Sequence, residues 1–581
     1  MEAPTMLLHT LFTFISLLYT AFGQNCKSIP SDPTWPSQNT WQKLNETVGG
    51  SLISTIPLAS VCHTNGSYAR FYDDAACSAL KQQFDYSEVH FKTPAAIMPA
   101  WFQESCNPFS PASQPCELGN YASYSINISS PQQVIDGLKF SKAHNIRLVI
   151  KNTGHDGTGK STGKGALSLW THNLKNISII NRYMSGYYQG PAIRLGAGVI
   201  GLEAHEAANA AGYRVVGGNC PSVGIVGGYT QGGGHSSMSN LYGLAADNIL
   251  EWEVVTATGE HLVATPEENS DLYWALTGGG GGTYAVVLSM TSRLHDDGLV
   301  GGGYISFDDT TIGNDRFWEA VAQFNFRLPS ISDHGGVTVA YSLTNHAFAI
   351  YNLFADGQGA DAVQDILNPY LSDLDQLGVT YNVSTHDSPS FLEQLRRDYG
   401  PFPDGPFTTT AILGGRLIPR EVVLDTESNT ALTQVLRDIT KSSDYAMLMQ
   451  SIDVRSNSSS LPMRPVAANA VLPAWRSTII QAIFTVPWDW SVPRSEMEKR
   501  EKYVSEYVTP ALQTVTPGSG SYMNEGNFRQ PDWQKQFFGI NYDRLLDVKQ
   551  KYDPDHLFYV PQGVGSECWG EDRAGRLCKI N

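Results

Sequence analysis

The sequence is poor in basic residues and in long apolar runs. Its 581 residues include only 39 Lys and Arg against 56 Asp and Glu, a formal net charge of −17. An acidic surface repels phosphate backbones, so nucleic acid is not an expected partner. Beyond the N-terminus no stretch of about 20 apolar residues occurs, so no membrane partner is expected either. Hydrophobic residues make up 41% of the chain, which favours folded cores over disorder.

Metal-binding spacings and repeats are missing too. None of the 14 histidines forms an H-x-x-x-H pair, and no C-x-x-C occurs among the eight cysteines. The expectation is therefore that the protein has no metal site. There is no internal repeat, coiled-coil heptad or low-complexity tract. A chain of this length and composition is expected to be an enzyme with more than one domain.

The N-terminus is typical of a signal peptide over residues 1–23. The apolar run Met6 to Phe22 ends in the small-x-small pattern Ala21-Phe22-Gly23, as at a cleavage site. The run lacks Lys and Arg in front of it, but it is short for a membrane-spanning helix. The sequence therefore predicts a protein of the secretory pathway, extracellular or vacuolar.

Sequons and cysteines favour the same compartment. Six N-x-S/T sequons occur, at Asn45, Asn65, Asn127, Asn176, Asn382 and Asn457. All cysteines follow Gly23, and most of them lie near the two ends of the chain. This distribution predicts disulfides that fasten the terminal segments, with Cys568 and Cys578 expected to form a local pair.

Composition and periodicity divide the chain into segments. After the signal peptide these are an irregular Cys-containing extension over 24–115, a compact α+β unit over 116–300, a second unit over 301–515 and an aromatic tail over 516–581. Helical spacing predicts helices at Gln132–His144 and Ala360–Leu377. Apolar and alternating runs predict strands at Ile146–Ile150, Ile249–Thr256 and His261–Ala264.

The loop after the first of these strands looks like a nucleotide-hydrolase motif. Gly154 to Ser161 reads GHDGTGKS, which fits G-x-x-x-x-G-K-S. Such a loop needs a helix that begins at its lysine, whereas Gly163 and Gly165 fall in the first turn and would each cost about 1 kcal/mol there. We therefore expect no nucleotide hydrolysis. The glycines can still wrap a pyrophosphate, and His155 within the loop is a candidate for chemistry.

Two further glycine clusters follow. One runs from Gly217 to Gly234 and contains Cys220, and the other spans Gly278 to Gly282. Glycine permits close backbone approach to a large flat ligand. Valine and isoleucine alternate with the glycines of the first cluster, which favours a buried loop over a flexible linker.

Together these segments resemble the berberine-bridge-enzyme-like FAD-linked oxidases of the vanillyl-alcohol-oxidase (VAO) superfamily, and are similar to secreted fungal members such as isoamyl alcohol oxidases. The resemblance lies in KNTGHDGTGKSTG (151–163), GGNCPSVGIVGGYTQGGGHSSMSNLYGLAADNIL (217–250), TGGGGGTYAVVLSMT (277–291) and FFGINYDRLLDVKQKYDPDHLFYVPQGVG (537–565). It implies an α+β fold with a two-subdomain PCMH-type FAD-binding domain over 116–300. An α+β substrate domain with an antiparallel sheet follows over 301–515, and residues 516–581 return to the FAD domain.

The resemblance also implies the cofactor and its contacts. His155 occupies the position that bonds the 8α-methyl group of FAD, and Cys220 the position that bonds C6 of the ring, which predicts bicovalent attachment. The alternative for Cys220 is a small buried thiol that bonds to nothing. Other implied FAD-binding residues are Gly154, Asp156, Gly157, Thr158, Gly159, Gly218, Val223, Gly224, Gly228 and Gly233.

The implied reaction is hydride transfer from an alcohol or secondary metabolite to FAD, with O₂ reoxidising the flavin to give H₂O₂. Tyr522, Asn524 and His235 are the candidate catalytic residues. A phenol of pKa about 10 is a poor base, and Glu525, which follows, departs from plant-type relatives. The base therefore stays open, with His235 as the alternative to Tyr522.

Other functions and residue roles also stay open. A flavin dehydrogenase, a carbohydrate oxidase or a non-catalytic secreted glycoprotein would each suit the same fold. Arg416 is expected to hold either the substrate or a structural carboxylate, and His205 is expected to be a surface or packing residue. The sequence gives no oligomeric state.

Overall fold

The structure is a computed structural model that describes residues 26–402, 411–442, 444–455 and 465–580. The predicted signal peptide over 1–23 and the sequon at Asn457 lie outside the described residues. Three large sheets organise the described chain and are named sheets A, B and C in chain order.

Sheet A has four strands and supports the loop that carries His155. Its order is Leu52–Ser54, Tyr124–Asn127, Leu167–Trp170 and Leu148–Lys151. The last three strands are parallel, and helix Pro131–Ala143 packs on them through Val134 and Leu138. This helix begins where it does because the Ser130 side chain caps it and proline occupies its first position.

Sheet B has five antiparallel strands. Its order is Ile177–Met184, Gln189–Gly196, Ala285–Arg293, Ile249–Thr256 and His261–Ala264. The last two strands have the predicted bounds. Helices Gly201–Ala210 and Ser270–Leu276 contribute to the same core. The glycine cluster 278–282 leads into the central strand of the sheet, which places the cluster at the sheet's end.

Sheet C has seven antiparallel strands. Its order is Tyr381–Ser388, Val300–Asp308, Ala347–Asp356, Thr338–Leu343, Ala446–Ser451, Thr478–Pro487 and Ala411–Pro419. Alternate residues of a strand face opposite sides of a sheet. Met447 and Phe484 therefore join a core with the helices on one side, while Gln450 and Gln481 point to the other side and line a pocket.

Helices cover the outer side of sheet C and connect the other elements. Asn314–Asp333, Ala360–Leu377, Thr426–Ile439, Arg494–Tyr503 and Thr509–Val515 pack on sheet C. Ala360–Leu377 has the predicted bounds. Other helices include Gln38–Thr47, Asp74–Gln83, Ser87–Phe91, Ser239–Tyr242, Phe391–Tyr399, Arg420–Leu424, Trp533–Phe538 and Tyr542–Tyr552. In the described part of the chain no helix is both long and apolar enough to cross a bilayer.

The last part of the chain runs back from sheet C to sheet B. Gly520 accepts a hydrogen bond from the Leu417 N–H at the edge of sheet C, and helix Tyr542–Tyr552 packs into the core of sheet B. Lys549 on this helix is buried and donates to the carbonyl oxygens of Thr283 and Phe558. The segment around Tyr522 is thereby held between the two sheets. The mixture of helices with mainly antiparallel sheets confirms the α+β class.

Three disulfides occur in the described chain, and one of them corrects an expectation. They are Cys26–Cys578, Cys62–Cys77 and Cys106–Cys116. Cys578 therefore does not pair with Cys568, which is exposed. The reason is the register of the hairpin Trp569–Glu571 with Leu577–Lys579, which sets Gly570 opposite Cys578.

Candidate active site

A glycine-lined cleft lies between sheets A and B. It encloses about 870 Å³, its open mouth included, and the C-terminal segment adds Asn524 and Val560 to its wall. The predicted FAD-binding residues that line it are Gly154, His155, Asp156, Gly157, Thr158, Val223, Gly224 and Gly228. Cys220 and Gly218 line the adjoining pocket instead. Gly159 and Gly233 line neither cavity.

The loop that resembles a nucleotide-hydrolase motif does not lead into a helix. After Lys160 the chain turns and enters strand Leu167–Trp170. The Asp156 carboxylate accepts hydrogen bonds from the backbone N–H groups of Thr158 and Ser161, which curls the loop. Gly154 has φ of +87°, and a Cβ there would lie 3.0 Å from the Ala96 carbonyl oxygen, so only glycine fits.

Several features of the cleft fit a large ligand with hydrogen-bonding groups. A Cβ on Gly281 would lie 3.0 Å from the Gly228 Cα, so a side chain there would fill the space between two glycine loops. The Asn152 side-chain oxygen is buried without a hydrogen-bond partner among the described atoms, and Asn152 lines the cleft. Such an atom calls for a donor on a ligand or water. The residues present therefore fit a dinucleotide cofactor.

His155 and Cys220 both contact the Ser222 hydroxyl. The Nε2 atom of His155 lies 2.8 Å from Ser222 Oγ, and the Cys220 Sγ atom lies 3.7 Å from the same oxygen. Burial, followed by the charges of His90 and Lys151, lowers the pKa of His155 to about 3, which makes its imidazole neutral. The structure therefore brings the two predicted attachment residues together.

A second pocket continues from the cleft toward sheet C. It measures about 650 Å³, its open mouth included, and its walls are mostly aromatic or apolar. The aromatic and apolar lining residues include Tyr229, Tyr351, Tyr399, Leu448, Met449 and Ile483. An intermediate space joins the two cavities, because it shares His155 and Gly228 with the cleft and Tyr229 and Glu525 with the pocket.

The polar end of this pocket is built around His235. Its Nε2 atom lies 2.9 Å from Glu525 Oε1, and its Nδ1 atom lies 3.0 Å from Gln450 Oε1. Gln481 donates a hydrogen bond to the other oxygen of Glu525. Burial by itself lowers the pKa of His235, but the Glu525 carboxylate and the Gln450 hydrogen bond outweigh it and raise the pKa above its usual value. His235 and Glu525 therefore form an ion pair that faces the pocket.

Tyr522 and Asn524 connect the C-terminal segment to the second glycine cluster. The Asn524 amide donates to the Gly228 carbonyl oxygen at 2.8 Å and to the Tyr522 hydroxyl at 2.7 Å. That hydroxyl also accepts from the Gly234 N–H. Burial, and then the nearby Glu525 charge, raise the pKa of Tyr522. The phenol therefore stays neutral, which makes it a poor proton acceptor.

Arg416 and His205 have structural contacts. The Arg416 guanidinium is buried and donates to Thr516 and to the Gln536 side-chain oxygen. Its partners among the described residues are therefore a hydroxyl, a carbonyl and an amide oxygen rather than the expected carboxylate, and they fasten the tail to sheet C. His205 is buried, with its Nε2 atom 3.4 Å from the Gly218 carbonyl oxygen, so the packing role is confirmed.

Sequence reasoning missed four residues of the site. Ser222 stands between the two predicted attachment residues, and for Glu525 the sequence indicated only a departure from plant-type relatives. Gln450 and Gln481 face each other on neighbouring strands of sheet C. One signal was available for these two, because each is a lone amide in an otherwise apolar strand segment, and buried amides need partners.

Comparison with known proteins adds to this geometry. Residues 122–265 match the FAD binding domain family, and residues 521–565 match the family described as berberine and berberine like. A VAO-type flavoprotein oxidase, VAO615 of Thermothelomyces thermophilus, is 48% identical over 98% of this chain and 99% of its own. The bifunctional decalin synthase calF of Penicillium decumbens is 43% identical over 97% and 98%.

Solved structures of VAO-type flavoproteins have the same fold as this chain. The crystal structure of the VAO-type flavoprotein MtVAO615 from Myceliophthora thermophila C1 matches with a TM-score of 0.92 at 48% identity, over 96% of this chain and 100% of that one. The glucooligosaccharide oxidase of Acremonium strictum, with its 6-S-cysteinyl, 8α-N1-histidyl FAD, matches with a TM-score of 0.61 at 18% identity, over 77% of this chain and 92% of that one. That second likeness concerns the fold alone.

Proposed function

The chain belongs to the berberine-bridge-like, VAO-type FAD-linked oxidoreductases, and from that membership we propose that it oxidises an alcohol or a secondary metabolite, holds FAD through both His155 and Cys220, and passes the electrons to O₂. The observation that carries the proposal is the position of these two side chains. They contact one hydroxyl where the glycine cleft adjoins the pocket of His235 and Glu525.

The cofactor would be held by the backbone of the glycine loops and by the two attachment residues. Bound there, FAD supplies the two-electron acceptor for hydride transfer. The glycines at 154, 224 and 228 leave room for it, and Asp156 maintains the loop that faces it. Asn524 and Tyr522 fix the loop at Gly228 and Gly234, so we assign them a positioning role at this site.

The proton of the substrate hydroxyl would pass to Glu525. Its carboxylate lines the pocket and is oriented by His235 and Gln481. Because the pKa of His235 is raised, we assign the role of proton acceptor to Glu525, whose two carboxylate oxygens are held by His235 and Gln481. A positioned carboxylate of this kind typically contributes about 10²–10⁴-fold to the rate.

The pocket walls favour an apolar or aromatic substrate with one hydroxyl group. Three tyrosines and four aliphatic residues make up half of the lining residues, while Gln450, Gln481 and Glu525 form a hydrogen-bonded cluster around His235. An oligosaccharide would need polar partners along its whole length, whereas half of the described lining residues are aromatic or aliphatic. One relative is named a bifunctional decalin synthase. Because decalin is an apolar bicyclic hydrocarbon, that name also supports an apolar substrate.

We also propose that the protein is secreted. Its three described disulfides persist in an oxidising compartment. Measurements of flavin colour, H₂O₂ release and dye reduction distinguish this proposal from its three alternatives. These are a dehydrogenase, a carbohydrate oxidase and a non-catalytic glycoprotein.

The test uses the purified protein. In the wild type, we expect the yellow colour to stay with the acid-precipitated protein. His155→Ala should lose most of this colour, and Cys220→Ala should keep most of it. H₂O₂ release should then be recorded with apolar alcohols and with oligosaccharides, beside reduction of an artificial dye. Dye reduction without H₂O₂ would indicate a dehydrogenase, and activity on oligosaccharides alone would indicate a carbohydrate oxidase. A colourless protein would refute the proposal.

A further inference from the structure

Ser222 contacts both residues that the proposed function assigns to FAD attachment. Its Oγ atom lies 2.8 Å from His155 Nε2 and 3.7 Å from Cys220 Sγ, and the residue is 1% exposed. The hydroxyl is therefore shielded from water, and both side chains are fixed around a single oxygen. The inference rests on the proposed function, because it concerns how the two attachments form.

The direction of the hydrogen bonds decides what the hydroxyl can do. A serine hydroxyl donates one hydrogen and can also accept, and a neutral imidazole carries one N–H. When His155 Nε2 donates to Ser222, the other ring nitrogen, Nδ1, keeps its lone pair and can bond to carbon. In the opposite direction the hydrogen would sit on Nδ1 and block that bond.

The same direction suits Cys220. A hydroxyl that accepts from His155 has its own hydrogen available for the sulfur at 3.7 Å. A hydrogen bond to the sulfur stabilises the thiolate, which is the nucleophilic form of cysteine. One orientation of a single hydroxyl therefore prepares both side chains for bond formation.

We propose that Ser222 is a positioning residue for flavin attachment, orienting a chain from His155 Nε2–H through its own O–H to Cys220 Sγ and thereby promoting both covalent bonds. Each attachment replaces one C–H bond of the cofactor and one N–H or S–H bond of the protein by a C–N or C–S bond. The two hydrogens, as two protons and two electrons, pass to O₂, the oxidant of the proposed function, and leave as H₂O₂.

The surroundings of His155 agree with this orientation. The imidazole is neutral because burial, with His90 and Lys151 nearby, lowers its pKa to about 3. It therefore has one N–H to donate and one lone pair to use. Pro221, between Cys220 and Ser222, fixes its own φ, which restricts how far the thiol and the hydroxyl can separate.

The experiment compares Ser222→Thr with Ser222→Val. Threonine and valine have the same shape, and only threonine carries the hydroxyl. Mass spectrometry of digested protein, sampled over time after expression begins, gives the fraction of each peptide that carries flavin, separately for His155 and Cys220. Ser222→Ala serves as a second hydroxyl-free variant without the added methyl group, and Ser239→Ala serves as a control, since Ser239 is buried and its hydroxyl contacts the Ser236 N–H.

The expected result is that Ser222→Val and Ser222→Ala slow attachment at both peptides by about tenfold, as expected for the loss of a hydrogen bond to a reacting group. Ser222→Thr and Ser239→Ala should resemble the wild type. Unchanged rates at either peptide in both hydroxyl-free variants would overturn the shared role of Ser222. A wild-type protein without flavin on either peptide would refute the proposed function itself, and this outcome is seen without any variant.

Discussion

The His235 imidazole and the Glu525 carboxylate, 290 residues apart in the sequence, lie 2.9 Å from each other at the polar end of the pocket. Each comes from a different side of the site: His235 follows the triple glycine near sheet B, and Glu525 belongs to the tail that crosses from sheet C. The pair therefore exists only when both sheets and the tail are in place.

Replacing Glu525 by glutamine should nearly abolish turnover. The amide preserves the shape but cannot take the substrate proton, so we expect kcat to fall by about 10²-fold or more while bound flavin is retained. Steady-state kinetics on the best alcohol from the screen would measure this. The exposed Glu506→Gln should leave kcat unchanged. If Glu525→Gln retains most of its turnover, another group accepts the proton.

The contribution of His235 to stability should depend on pH. Its pKa in the folded protein is raised above the unfolded value of about 6.5 by Glu525 and Gln450, despite burial. The stabilisation is therefore fully present below pH of about 6.5 and is lost as the pH rises through the folded value. Thermal unfolding of wild type and His235→Gln between acidic and alkaline pH should show curves that converge at high pH. Parallel curves for wild type and His235→Gln would contradict the ion pair.

Asp247→Asn should lower the free energy of unfolding. Asp247 follows the second glycine cluster, and its partner Arg476 precedes strand 478–487 of sheet C. The Asp247 carboxylate accepts hydrogen bonds from both terminal nitrogens of Arg476, at 2.8 and 2.6 Å, and is 1% exposed. Removing one partner of a buried pair typically costs about 3–5 kcal/mol. Urea unfolding would measure the loss. The control is Asp315→Asn, at an exposed pair with Arg437, which should cost less than about 1 kcal/mol. Equal losses of unfolding free energy in the two variants would contradict the prediction that the buried pair matters more.

Loss of the Cys26–Cys578 disulfide should lower the thermal stability of the oxidised protein. The bond joins residues 552 positions apart, and removing a native disulfide typically costs about 2–5 kcal/mol. Calorimetry without reductant should therefore show a lower Tm for Cys578→Ala and no change for Cys568→Ala. If Cys568→Ala has the larger effect, the pairing of the terminal cysteines is different in solution.

The sequence could predict elements whose pattern is local. Strands 249–256 and 261–264 and helix 360–377 have the predicted bounds because their side-chain periods match a sheet face or a helix face over several residues. The resemblance in the glycine clusters supplied His155 and Cys220, which the structure brings to one hydroxyl.

The rest depends on contacts between distant segments. Local crowding suggested that Cys568 would pair with Cys578, but the hairpin register turns Cys578 toward Cys26. The residues near Arg416 in the sequence do not predict that Thr516 and Gln536 are its hydrogen-bond partners. The hydrogen-bond partners of Glu525, His235 and Gln481, are likewise far from it along the chain.

The late position of Glu525 has a consequence for biosynthesis. A ribosome completes the histidine and cysteine loops long before it reaches residue 525, and the N-terminal parts of a chain fold first. The tail that carries Glu525, however, also supplies Asn524 and Val560 to the cleft wall and buried Lys549 to the carbonyl oxygen of Thr283, so the cleft is complete only when the tail has been made, and we expect cofactor binding and turnover to become possible together. Synthesis order alone thus keeps an unfinished chain from consuming substrate.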